Sequence, residues 1–204
     1  QAGPYRSDDR GDHWEALDAP AGDVWSLAVH PQDSNTMFAG YEPCAVYRSQ
    51  DGGAHWQKMN TDQVVYPHIT TYMPPLGKRV IGLSVDPGNP EDLYGAIEVG
   101  GLIASRDGGE TWEHVLFADE DTGASSIEMD PHNSRKLFAG MWTVEIHTWG
   151  RESGGEGSGI YMSEDGGDSW TKLAGNGLPL LPVGKTDICL TPADPDRVYA
   201  LIET

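Results

Sequence analysis

Ser163-Glu-Asp-Gly-Gly-Asp-Ser-Trp170 occurs in this chain as one of four copies of a single pattern. The others are Ser49-Gln-Asp-Gly-Gly-Ala-His-Trp56, Ser105-Arg-Asp-Gly-Gly-Glu-Thr-Trp112 and the weaker Ser7-Asp-Asp-Arg-Gly-Asp-His-Trp14. All read Ser-x-Asp-x-Gly-x-x-Trp, and such self-similarity at a fixed spacing marks a repeat architecture. Apolar runs lead into three of the Ser residues (Val46-Tyr47, Leu102-Ile103, Ile160-Tyr161), and an alternation at Trp112, His114 and Leu116 follows a Trp. Strand, tight turn, strand is the expectation. Glycine supplies the positive φ, the Asp accepts bonds from the turn's own N–H groups, and the Trp is placed to pin the turn to a neighbouring sheet.

A second unit lies between these boxes. It reads Ser26-Leu-Ala-Val-His-Pro31…Thr36-Met-Phe-Ala-Gly40, then Gly82-Leu-Ser-Val-Asp-Pro87…Asp92-Leu-Tyr-Gly-Ala96. It returns as Ser126-Ile-Glu-Met-Asp-Pro131…Lys136-Leu-Phe-Ala-Gly140 and Asp187-Ile-Cys-Leu-Thr-Pro192…Arg197-Val-Tyr-Ala-Leu201. Each is a short strand, a Pro/Asn/Asp turn and a second strand, here named A and B; the box pair supplies C and D. Residues 5–17 are C-D; 24–59, 79–116 and 125–173 are A-B-C-D; 186–203 are A-B. Four-stranded antiparallel sheets repeating at this spacing predict an all-β fold, a β-propeller with about four blades visible in one domain over 1–204. The N-terminal C–D pair is expected to complete the blade begun by the C-terminal A–B pair, removing open edges. A first residue of Gln rather than Met fits either a mature exported protein, secreted or periplasmic, or part of a longer propeller.

Composition agrees. The chain has 26 Gly, 14 Pro and 7 Trp in 204 residues, and no long 3.6-residue periodicity. A formal net charge of −19 argues against nucleic acid or an anionic membrane as partner, and no apolar run is long enough to insert in a bilayer. Cys44 and Cys189 fit a disulfide or two buried thiols equally well.

The boxes resemble Asp-boxes, the bacterial neuraminidase repeats of sialidases, sortilin-type propellers and related glycosidases. The segments Glu120–Ser125, Leu137–Trp142, Gly157–Ser163 and Arg197–Glu203 are similar to bacterial sortilin-like propellers labelled glycosyl hydrolases. Val24–Pro31 and Ile97–Gly101 resemble exo-sialidase-like proteins. The resemblance implies the propeller fold and leaves function open, because such boxes occur in enzymes, receptors and assembly factors alike. Sialidase chemistry needs an arginine triad and a Phe/Tyr-Arg-Ile-Pro motif; of eight arginines one or two fall where a ligand would bind, and the motif is absent.

In a propeller, A–B and C–D turns share one face; B–C and D–A connections share the other, where ligands usually bind. The long insertions all belong to the second class: Thr61–Lys78, Ala118–Ala124, Met141–Gly159 and Ala174–Lys185. They hold the candidate ligand-binding residues Trp142, Trp149, His147, Arg151, Tyr66 and His68, with Glu42 at a strand end: flat faces to stack and fixed polar groups to orient. Glu42, Glu98 and Glu203 each follow strand B, with Glu145 a little beyond. Glu145, Glu152 and Glu98 are thus the candidates for paired-carboxylate glycosidase chemistry. His68, His147 and Glu145 have no metal-ligand spacing; no cofactor is expected, and a structural divalent cation is left open. Asp9, Asp51, Asp107 and Asp165, with Trp14, Trp56, Trp112 and Trp170, are read as structural. Two functions follow: a non-catalytic binding or scaffold module for a protein or glycan partner, or a glycoside hydrolase or lyase acting on a polysaccharide.

Overall fold

The computed structural model describes residues 3–64 and 77–204. Three antiparallel blades lie in sequence. The first contains β3 (Asp23–Val29), β4 (Met37–Glu42), β5 (Ala45–Ser49) and β6 (Gln57–Lys58). The second contains β7 (Arg79–Val85), β8 (Leu93–Glu98), β9 (Gly101–Ser105) and β10 (Glu113–Leu116). The third contains β11 (Thr122–Asp130), β12 (Asn133–His147), β14 (Gly159–Ser163) and β15 (Thr171–Lys172), with β13 (Gly150–Ser153) paired to the far end of β12. A hairpin of β1 (Tyr5–Arg6) and β2 (Glu15–Ala16) precedes them, and one of β16 (Thr186–Leu190) and β17 (Val198–Ile202) follows. The fold is a β-propeller built from these blades.

Three devices join the blades. An aromatic on the B strand of each full blade shares an apolar cluster with two residues of the next A strand: Phe38 with Leu83 and Val85, Tyr94 with Ile127 and Met129, Phe138 with Ile188 and Leu190. On the same strands, small residues let backbones close in. Ser26 Oγ donates to Val80 O at 2.7 Å, and a Cβ on Gly40 would strike that same carbonyl. Finally, an arginine at the start of one box or just before it reaches the next box turn. Arg6 donates to Gly52 O at 2.9 Å, Arg48 to Gly108 O at 3.1 Å and Arg106 to Gly166 O at 2.5 Å.

Each box closes its own turn. Ser163 Oγ–H donates to Asp165 Oδ1 at 2.8 Å, and Oδ1 also accepts the Ser169 N–H at 2.9 Å. The Gly167 N–H donates to Ser163 Oγ at 2.8 Å, and Trp170 Nε1–H donates to Gly167 O at 3.1 Å. Equivalent bonds recur around Asp9, Asp51 and Asp107. The boxes also lie beside the A–B turns of their own blades: Gly52, Gly108 and Gly166 N–H donate to the carbonyls of Asn35, Glu91 and Arg135. These donors sit at φ +74°, +70° and +77°, where glycine is favoured; the first box holds Arg10 there, at φ 62°.

Three expectations change. The end pairs do not join: β1 pairs with β2, β16 with β17, and neither hairpin completes the other. A strand pair can be shared only if the blades curve through a full circle, and three blades with two halves do not bring the ends together. The 141–159 segment is not simply a loop. β12 runs on to His147 and returns as β13, because Thr143-Val-Glu-Ile-His147 alternates and is rich in β-branched residues. Cys44 is half-buried and Cys189 exposed; both are thiols, so the paired reading and the two-buried reading are each set aside.

Candidate functional site

The β12–β13 hairpin rises from the face of the B–C and D–A connections, away from the boxes. Its pleat divides the residues singled out in the sequence. One side carries Trp142, Val144 and Ile146, packed against Val99. The other carries Glu145 and His147, whose Nε2 lies 3.3 Å from Glu145 Oε2. Glu152 is the cross-strand partner of Glu145. At the tip, Trp149 stacks on His147 with ring centroids 4.8 Å apart and planes 4° from parallel. Trp149 is 82% exposed and Trp142 only 6%, so Trp149 is the aromatic face a ligand can reach, and Trp142 is a buried support.

Trp142 anchors the base of the hairpin. Its Nε1–H donates to Ser153 Oγ at 2.8 Å, and Ser153 Oγ–H donates to Glu203 Oε2 at 2.5 Å. The same carboxylate oxygen accepts the Lys185 N–H at 3.0 Å, and Arg151 approaches Oε1 at 3.9 Å. The Arg151 guanidinium and the Lys185 ammonium each lie 5.5 Å from the centre of the Trp142 ring. The Ser153 hydroxyl, the Lys185 N–H and the two cations together hold the Glu203 carboxyl below its ordinary range. A cleft of about 490 Å³ opens here, lined by Trp142, Arg151, Lys185, Asp187, Leu201 and Glu203.

The remaining carboxylate candidates lie elsewhere. Glu98 and Glu42 flank Arg79, whose Nη1 is 3.1 Å from Glu98 and whose Nε is 2.7 Å from Glu42. Trp25 covers that guanidinium at 4.3 Å. Thus Glu98 is a partner in an ion-pair triad, while Glu145 and Glu152 occupy the hairpin side turned from the cleft. Tyr66 and His68 lie outside the described residues. Among the described residues no three His, Cys, Asp or Glu side chains cluster as a metal site.

Ser153, Lys185 and Asp187 were not singled out from sequence. A signal for Lys185 existed: like Arg79 it is a cation opening an A strand opposite the Glu that closes B. Ser153 is placed by hairpin register, which a Gly-rich stretch conceals. Glu128 on β11 has its carboxyl raised, first by burial and then by Asp187. It does not line the cleft.

No family model matches the chain, and no curated protein matches it. Solved structures do. An ancestral GH74 enzyme superposes with TM-score 0.67 at 20% identity, over 97% of this chain and 27% of its own. The GH74 enzyme of Niastella koreensis gives TM-score 0.61 at 21% identity, over 84% of this chain and 26% of its own. This chain therefore spans about a quarter of the length of those enzymes, and the likeness is one of fold. YCF48 from Cyanidioschyzon merolae aligns over 98% of this chain at 14% identity with TM-score 0.41, too loose to support an argument.

Proposed function

We propose that this chain is a non-catalytic propeller module that binds a protein or glycan partner on its long-loop face, with the tip of the β12–β13 hairpin as the principal contact. The observation that carries this reading is Trp149: a large aromatic 82% exposed, held flat by His147 on a hairpin that Ser153 and Glu203 brace at its base. A rigid, exposed indole offers contact area at low entropic cost. The carboxylates around the cleft support binding over catalysis. A glycosidase acid must hold its proton near neutral pH, yet the Glu203 carboxyl is held below its ordinary range; away from the cleft, Glu42 and Glu98 are both engaged by Arg79. The box turns, with their repeated Ser–Asp–Trp bonding, fit kinship with Asp-box propellers.

A glycan array and a peptide array, each probed with wild type and Trp149→Ala, test the proposal. Binding by wild type that disappears in the variant is expected. No binding on either array, or binding indifferent to Trp149, would remove its basis.

One observation favours the hydrolase alternative. Asp187 lines the cleft, and on the adjoining strand β11 the Glu128 carboxyl is raised by burial and by Asp187, which gives two carboxylates for the paired chemistry of a glycosidase. A chromogenic glycoside panel distinguishes the two: turnover by wild type, lost in both Glu128→Gln and Asp187→Asn, would replace the binding reading.

A further inference from the structure

The β12–β13 hairpin sorts its charges by side. Val144 faces Ser153, Glu145 faces Glu152, Ile146 faces Arg151 and His147 faces Gly150, and successive pairs point to opposite sides. The side of the buried Trp142 carries Arg151, and Lys185 comes to the same ring. The other side carries Glu145, Glu152 and His147, with Trp149 stacked at the tip. Among the described residues, Glu145 pairs only with His147, at 3.3 Å, and Glu152 pairs with no cation.

Two properties of that side point to a positively charged ligand. First, Glu145 and Glu152 are directly opposed across the strands. Side chains so placed have Cβ atoms about 5 Å apart, and like charges there repel and weaken the pair. A positive charge set between them would remove that repulsion. Second, Trp149 offers one indole face. His147 lies against the other, with ring centroids 4.8 Å apart, so the ring is fixed in orientation while 82% exposed. Indole is the strongest aromatic seat for an ammonium or guanidinium group. The net charge of −19 acts at longer range, drawing cationic partners in and turning anionic ones away. A glycan could also stack on the indole. A neutral sugar, however, leaves the opposed carboxylates unrelieved, and an acidic one adds to their repulsion.

We infer that the partner met by this hairpin is a basic protein segment, with one arginine or lysine side chain over the open face of Trp149 and a second between Glu145 and Glu152. The inference rests on the reading that Trp149 is the principal contact, and it names the chemistry of what Trp149 meets. An extended segment suits the layout, because its alternate side chains fall about 7 Å apart on one side, the spacing of alternate positions along the hairpin itself.

Fluorescence anisotropy with a labelled peptide of alternating arginine and alanine tests this, beside peptides in which glutamate or serine replaces arginine. Wild type should bind the arginine peptide and neither of the others, with an affinity that falls as sodium chloride is raised. Trp149→Ala should weaken binding about tenfold, and so should Glu145→Gln combined with Glu152→Gln. Glu113→Gln combined with Glu164→Gln, which removes as much charge from exposed positions outside the hairpin, should leave binding unchanged. The hairpin amides should also exchange hydrogen more slowly when the arginine peptide is present. Equal binding by either hairpin variant, or an equal loss in the control variant, would mean that overall charge alone draws the peptide, and the inference falls. It falls too, with the Trp149 platform left standing, if the serine peptide or an oligosaccharide binds in a way that needs Trp149 but neither glutamate. No binding of any peptide or oligosaccharide, even at low salt, would remove the inference and the platform together.

Discussion

The aspartate of each box performs a task that its clustered charges disguise. Asp51, Asp107 and Asp165 are held down to about 2. The backbone N–H of His55 leads for Asp51, and the hydroxyls of Thr111 and Ser169 lead for Asp107 and Asp165. These folded values lie below the ordinary 3.8, so the unfolded chain binds more protons as pH falls between the two. The contribution to stability is therefore complete above about pH 5 and is lost as pH drops toward 2. Thermal unfolding followed across that window should show the melting temperature falling with acid, and Asp165→Ala should lower it at neutral pH while flattening part of the acid slope. An unchanged neutral melting temperature in that variant would contradict the role. Arg10 gives the converse case. A non-glycine at φ 62° is strained, and Arg10→Gly should stabilise the first box by about 1 kcal/mol in denaturant unfolding.

Elements were legible in the sequence to the degree that their bonds are local. The box turns satisfy themselves within eight residues, so spacing alone identified them. The β12–β13 hairpin was harder. Its alternation from Thr143 to His147 was in plain view, but a blade needs four strands, and those residues fell between its second and third, where a loop was expected. The buried state of Trp142 depends on Ser153, Glu203 and Lys185, which only the register and the neighbouring half-blade bring together. That bracing has a consequence: Ser153→Ala removes the hydroxyl between Trp142 and Glu203. The hairpin amides should then exchange hydrogen faster, while those of the blade core stay protected. Equal protection in both proteins would mean that the network does not hold the hairpin.

At the scale of the molecule, the sequence announced the number and order of strand pairs because each blade repeats the last. The completed end blade expected from the split pairs is not formed, since curvature arises from many small packing angles that no single residue encodes. The faces were separable for a simpler reason: short uniform turns cluster on one side and long ones on the other. The proposed binding function rests on that division, with self-fastening boxes behind and a braced aromatic tip in front.

That division is tested most directly by titrating wild type and Trp149→Ala with the tightest glycan or peptide found on the arrays, using calorimetry. The variant should bind about tenfold or more weakly, with an unchanged melting temperature and no turnover of ligand by either protein. Equal affinity in the two proteins, or consumption of the ligand by wild type, would contradict a binding face centred on the hairpin.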